Sequence, residues 1–201
     1  MSAPLEITFK DALSNLEMTF TVHFEAKRDK LTLFGEYQYV NLGPEAEGPM
    51  GGTLDIGFKD TIAELGASYW VFGTERTDWE ILGGARYTKQ KLSVAVEVGP
   101  DLINISNDWW VGFFGGRMSA TLSDKWTFIG RVDYGLGGSG DTNHIWNLAA
   151  MFDYRFRHWG SAFVGYKFMS YDYDNGKTMS FDRYAYDATQ QGPLLGLTIH
   201  W

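Results

Sequence analysis

The chain closes on Gly192-Pro-Leu-Leu-Gly-Leu-Thr-Ile-His-Trp201, and the reading of that stretch decides the fold. The Gly-Pro pair is a break at which a strand is expected to begin. Beyond it Leu195, Leu197, Ile199 and Trp201 fall on one side of an extended backbone, and Gly196, Thr198 and His200 on the other. Successive side chains of a strand point to opposite faces, so this is a two-faced strand whose apolar side ends on a large aromatic residue.

The same alternation repeats upstream. Met18, Phe20, Val22, Phe24 and Ala26 oppose Thr19, Thr21, His23, Glu25 and Lys27; Leu31, Leu33, Gly35, Tyr37 and Tyr39 oppose Thr32, Phe34, Glu36 and Gln38. Equivalent series run over 62–71, 79–88, 110–120, 126–134, 146–156 and 161–168. With the terminal segment these predict nine strands of roughly 9–13 residues, long enough to cross a bilayer at a tilt. No helical period competes over a long window. The expected architecture is all-β: an up-and-down antiparallel transmembrane β-barrel of about 8–10 strands, one domain over 1–201. Short turns are expected at Lys27–Lys30, Gly73–Asp78, Leu122–Lys125 and Arg157–Gly160. Longer loops fall at Gly43–Gly52, Val94–Ser106, Gly137–Asn143 and Tyr171–Gln191, and Leu92–Val98 with Leu102–Ile105 read as a hairpin that continues past the membrane. Nine is odd where bacterial single-chain barrels are even. A first strand is therefore expected to be missing or short, with Leu5–Phe9 as a poor candidate. Leu5-Glu-Ile-Thr-Phe-Lys-Asp11 also echoes Leu54-Asp-Ile-Gly-Phe-Lys-Asp60.

Composition narrows the class. The 201 residues are 44% hydrophobic and 16% aromatic, with 24 glycines and no cysteine. Mean hydropathy is −0.24. No apolar run reaches the length of a helical span, whereas barrel strands hide their apolarity in alternation. The absence of cysteine removes disulfides and thiolate metal sites. A net charge of −8 argues against nucleic acid, which wants a basic patch. Met1-Ser-Ala-Pro shows neither the basic start nor the apolar core of a signal peptide.

The two faces predict two environments. Aromatic and apolar faces, with glycine at Gly35, Gly83, Gly112, Gly116 and Gly130, would underpack a soluble core and suit lipid. The opposite faces carry Glu25, Glu36, Glu64, Arg86, Arg117, Arg131, Asp133, Asp153, Arg155 and Lys167, with His23 and Glu80 beside them. Charges enclosed in a narrow lumen have to pair, because an unpaired buried charge is costly. The expectation is a network of arginine–carboxylate pairs that plugs the interior.

From Asn15 to Trp201 the order of short motifs resembles a family of small proteobacterial outer-membrane β-barrel proteins of mostly unassigned function. The residues that carry this are Asn15-Leu-Glu-Met-Thr-Phe20 with His23-Phe-Glu-Ala-Lys27; Leu82-Gly-Gly-Ala-Arg-Tyr87; Ser123-Asp-Lys-Trp126 with Arg131-Val-Asp-Tyr-Gly-Leu-Gly137; Gly165-Tyr-Lys-Phe168 with Tyr171-Asp-Tyr-Asp174; and Gly192–Leu197. Gly196, Ile199 and Trp201 are similar in spacing to the terminal signal read by the barrel-assembly machinery, although Leu194 stands where a polar residue is usual. The resemblance implies a location in the bacterial outer membrane, with outer-membrane lipids and that machinery as partners. It implies no substrate, and leaves the oligomeric state open.

Catalysis is not expected. His23, His144, His158 and His200 are scattered, with no nucleophile elbow or metal-ligand spacing around them. Tyr171–Lys177 has calcium-loop flavour without the distal glutamate, and Gly135–Gly140 joins strands with no helix to cradle phosphate. No cofactor or metal site follows. Three function classes stay open: a structural or surface-interaction barrel, a small channel for ions or small solutes, and a soluble lipocalin-like ligand-binding barrel.

Overall fold

The computed structural model describes residues 15–43, 45–47, 53–96, 101–137, 142–174 and 185–201. They form one sheet and no helix. The strands are β1 (Leu16–Arg28), β2 (Leu31–Leu42), β3 (Glu45–Glu47), β4 (Thr53–Gly73), β5 (Thr77–Val96), β6 (Asp101–Thr121), β7 (Trp126–Leu136), β8 (Thr142–Arg157), β9 (Gly160–Asp174) and β10 (Ala185–Ile199). Their order is β1-β2-β4-β5-β6-β7-β8-β9-β10, with the short β3 paired to β4. Each long strand thus lies beside its sequence neighbour in an up-and-down antiparallel arrangement, as the alternation predicts. Among the described residues the path is open, running from β1 at one edge to β10 at the other. The candidate strand Leu5–Phe9, the first half of the internal echo, and the acidic turn beyond Asp174 lie outside the described residues.

The four short turns fall where polar and turn-forming residues interrupt the alternation. Asp29 takes a left-handed conformation (φ 54°) between β1 and β2, a region Asp and Asn visit more readily than branched residues. At the next short turn the Thr74 amide donates to the Thr77 carbonyl (2.7 Å) and the two hydroxyls meet at 2.8 Å. The Leu122–Lys125 turn is closed by Ser123, whose carbonyl and hydroxyl both accept from the Trp126 amide.

Several strand limits differ from the sequence reading: β4 begins at Thr53 instead of near 62, and β9 runs to Asp174, into the expected Tyr171–Gln191 loop. β10 begins at Ala185, not at the Gly-Pro pair, and Pro193 lies inside it opposite Tyr166. β10 is an edge strand, where a residue without an N–H is tolerated. The terminal strand also ends at Ile199, leaving Trp201 beyond it. The strand-like segments expected at Leu92–Val98 and Leu102–Ile105 fall at the ends of β5 and β6, with 97–100 outside the described residues. With β4 these strands reach 20–21 residues, about twice the 9–11 that a tilted span needs.

The described chain falls into two compact units. One holds 15–24, 35–64 and 87–109; the other holds 25–34, 65–86 and 110–201. In the first, Ile62 and Trp109 are buried together with Asp60, Glu64, Thr88 and Gln90. In the second, the sheet curls strongly. Glu25 on β1 meets Arg117 on β6, four strand positions away, a separation of about 19 Å in a flat sheet.

Replacing Asp29 by valine should cost about 1–3 kcal/mol of folding stability, since a branched residue is strained at this φ, whereas Asp29→Gly should be neutral or slightly stabilising. Denaturant titration of the two variants tests the turn; equal behaviour would contradict it.

Candidate functional site

Burial is inverted relative to a soluble domain. On β8 of the second unit, Trp146, Leu148 and Phe152 are exposed while Ile145, Asn147 and Ala149 between them are buried. On β10, Leu195, Leu197 and Ile199 are 77%, 76% and 66% exposed, and Trp201 is 86% exposed. The groups fully withdrawn from solvent include Arg86 and Asp133. An isolated carboxylate in that position would neutralise or be expelled. What holds it is a convergent set of three donors.

Asp133 stands at the centre. Arg86 Nη2 donates to Oδ1 at 2.7 Å; Arg131 Nε and Asn147 Nδ2 donate to Oδ2 at 2.8 and 2.7 Å. Two guanidiniums and an amide therefore share one carboxylate. The second cation is stabilised by rings. Arg131 Cζ lies 5.3 Å from the centroids of both Phe34 and Phe113, and Arg86 Cζ lies 4.9 Å from Phe113. A cation over a desolvated ring is worth about 1–2 kcal/mol. Phe34, Leu82 and Phe113 form a small apolar cluster inside the charged face.

Arg117 organises a second cluster. It ion-pairs with Glu25 and donates through Nε to Glu80 at 2.8 Å, with its Nη2 2.6 Å from the same carboxylate. Ser68 donates to Glu80 (2.8 Å) and accepts from Arg117 (3.3 Å), and Lys27 Nζ stands 4.0 Å from Glu80. The antiparallel register sets Arg117 directly opposite Arg131. Like charges in that position repel. Each turns to its own carboxylates, Arg117 towards Glu25 and Glu80 and Arg131 towards Asp133, which relieves the repulsion.

Glycine makes the room. Gly115 lies opposite Asp133, and a Cβ there would come within 2.6 Å of the Asp133 Cα and 2.7 Å of its Cβ. A Cβ on Gly66 would meet the Phe34 ring at 2.5 Å, and one on Gly84 the Phe113 ring at 2.8 Å. These inward glycines let rings and guanidiniums fill the interior. The outward Gly112, Gly116 and Gly130 have no neighbour closer than 3.5 Å to such an atom.

The remaining sequence candidates are dispersed. Glu36 pairs with His23 at 3.1 Å, and Glu64 is buried, both in the first unit. Asp153 accepts from the Ser161 hydroxyl (2.7 Å), which also meets His200 Nε2 at 3.1 Å. A serine held between an aspartate and a histidine, itself fully buried, lacks the histidine-centred order that nucleophilic catalysis requires. Lys167 is half-buried, and Arg155 is exposed beside the β8–β9 turn. At the carboxyl end, Gly196 accommodates the Phe163 ring, while Ile199 and Trp201 face outwards. Among the described residues no cluster of histidine and carboxylate could hold a metal ion. The sequence reading missed Ser68, Asn147 and the glycines as parts of the network. Phe34 and Phe113, two rings on otherwise polar faces, were the available signal.

The chain matches no protein-family model, and no curated protein sequence matches it significantly.

Asp133→Leu should cost about 3–5 kcal/mol, because it removes the carboxylate that two guanidiniums share in the interior. Adding Arg86→Leu should recover part of that loss. A double-mutant cycle by urea titration measures the coupling, and strict additivity would place the two groups in separate environments.

Proposed function

We propose that the chain is an integral outer-membrane β-barrel protein whose interior is plugged by the charge network, acting as a structural or surface-interaction element. The observation that carries this is a pair of aromatic levels on the exposed face. Trp126 and Tyr154 are cross-strand partners with ring centroids 5.0 Å apart, and Tyr134 and Trp146 are partners at 4.5 Å. Between the levels, the exposed side of β7 and β8 carries only Phe128, Gly130 and Val132 with Leu148, Ala150 and Phe152. The levels are eight residues apart on each strand. That is about 27 Å along the strand, or about 20 Å across a bilayer at a tilt of about 40°. The apolar band of such barrels is about 25 Å tall and bounded by aromatic girdles. Phe72 and Trp79 (5.7 Å) and Phe156 and Trp159 (5.8 Å) add rings near the short turns.

The short turns then face the periplasm and the long ends of β4, β5 and β6 face outwards. The same distribution disfavours a lipocalin-like barrel, whose charges would be outside. The Asp133 and Arg117 clusters disfavour a channel, since their charges are committed to one another and aromatic rings pack beside them.

The purified chain should refold only with detergent or lipid, and then migrate faster on a gel unheated than boiled. Folding in plain buffer would contradict the membrane reading. In planar bilayers the folded chain should show no stepwise conductance, and regular ion-sized steps would favour the channel instead.

A further inference from the structure

A group of outward lysines lies outside the two charge clusters. On β5 the outward series Trp79, Ile81, Gly83, Ala85, Tyr87 continues as Lys89 and Lys91. On β4, followed towards its start, Leu65, Ala63 and Thr61 continue as Lys59. The alternation is unbroken: Asp60, Ile62, Thr88 and Gln90 are buried, while Lys59, Lys89 and Lys91 are exposed. The Ser93 hydroxyl donates to the Gly57 carbonyl at 3.4 Å. Carried two residues along the antiparallel hairpin, that pairing sets Lys59 beside Lys91.

Three features point to an anionic occupant. Like charges directly opposed across strands are destabilising unless an anion lies between them. Among the described residues, none of the three lysines has an ion-pair partner. Asp108 of β6 is exposed on the same face and interacts with Tyr87, and it stands in no ion pair with the lysines. Finally, Lys89 follows Tyr87 by two residues, and Tyr87 follows Trp79 by the eight residues that separate the aromatic levels on β7 and β8. Lysine just beyond an interfacial aromatic ring sits at headgroup depth, where ammonium groups on flexible stems reach phosphate.

We infer that Lys59, Lys89 and Lys91 form a docking patch for anionic, phosphate-bearing lipid headgroups in the leaflet on the long-strand side. The inference rests on the membrane reading and adds a lipid preference to it.

The test folds the full chain into bilayers of phosphatidylcholine alone and of phosphatidylcholine with a minor share of phosphatidylglycerol. Anionic lipid retained on gentle extraction is measured by mass spectrometry, and thermal midpoints are compared. The wild-type chain should retain phosphatidylglycerol above its bulk share and melt higher in the mixed bilayer. Lys59→Gln/Lys89→Gln/Lys91→Gln should lose both differences, and high salt should erase them in the wild-type chain even if the triple variant does not fold. Equal retention and equal midpoints in a well-folded wild-type chain would overturn the patch while leaving the membrane reading intact. Failure to fold in either bilayer would overturn the membrane reading and the patch with it. Inorganic phosphate added to the neutral bilayer should give no comparable rise; an equal rise would assign the patch to a soluble anion and overturn the lipid assignment.

Discussion

The Asp133 carboxylate, closed between Arg86 and Arg131, is the interaction on which the second unit depends. Both members of the Arg86–Asp133 pair are completely withdrawn from solvent. A charge in that position is tolerable only when it is paired and hydrogen-bonded. Three donors converge on the two carboxylate oxygens, and aromatic rings cover the guanidiniums. The contributors come from β2, β5, β6, β7 and β8, so satisfying one carboxylate fixes the curl of the sheet. Gly115 is as much a part of this as the charged groups, because any side chain there would occupy the place of Asp133.

The converse constraint acts on the other face. A strand has two sides, and once the ionic side is enclosed, the apolar side is exposed. Rows such as Leu195, Leu197, Ile199 and Trp201 would make a soluble protein aggregate. In hydrocarbon the same rows would cost nothing, and the rings at their ends would suit the level where chain meets headgroup. Charge inside and grease outside are two consequences of one alternation.

Much of the fold was legible because period-two patterning is robust. Every long strand of the sheet follows from alternation, and the four short turns from runs such as Lys27-Arg-Asp-Lys30 and Ser123-Asp-Lys125. What misled was punctuation: Gly192-Pro193 reads as a start, but a proline on an edge strand interrupts nothing. The charged residues were legible as a set and not as pairs. Which carboxylate meets which arginine depends on register and curl, which alternation does not encode. Arg131 and Asp133 are two residues apart and pair directly, whereas Glu25 and Arg117 are 92 residues apart and meet only because the sheet bends. Arg155 has the right parity for the interior but lies beside a turn, where enclosure ends.

The central claim is that the exposed apolar face contacts lipid and the charged face does not. Because the chain has no cysteine, single probes can be attached without background. Leu148→Cys and Asn147→Cys place a polarity-sensitive fluorophore on opposite faces of adjacent residues of β8. After folding into vesicles, the probe at 148 should emit as in hydrocarbon and be quenched by spin labels on lipid tails, while the probe at 147 is shielded from them. Quenching of the 148 probe by an aqueous quencher, with no effect of the tail labels, would contradict the account.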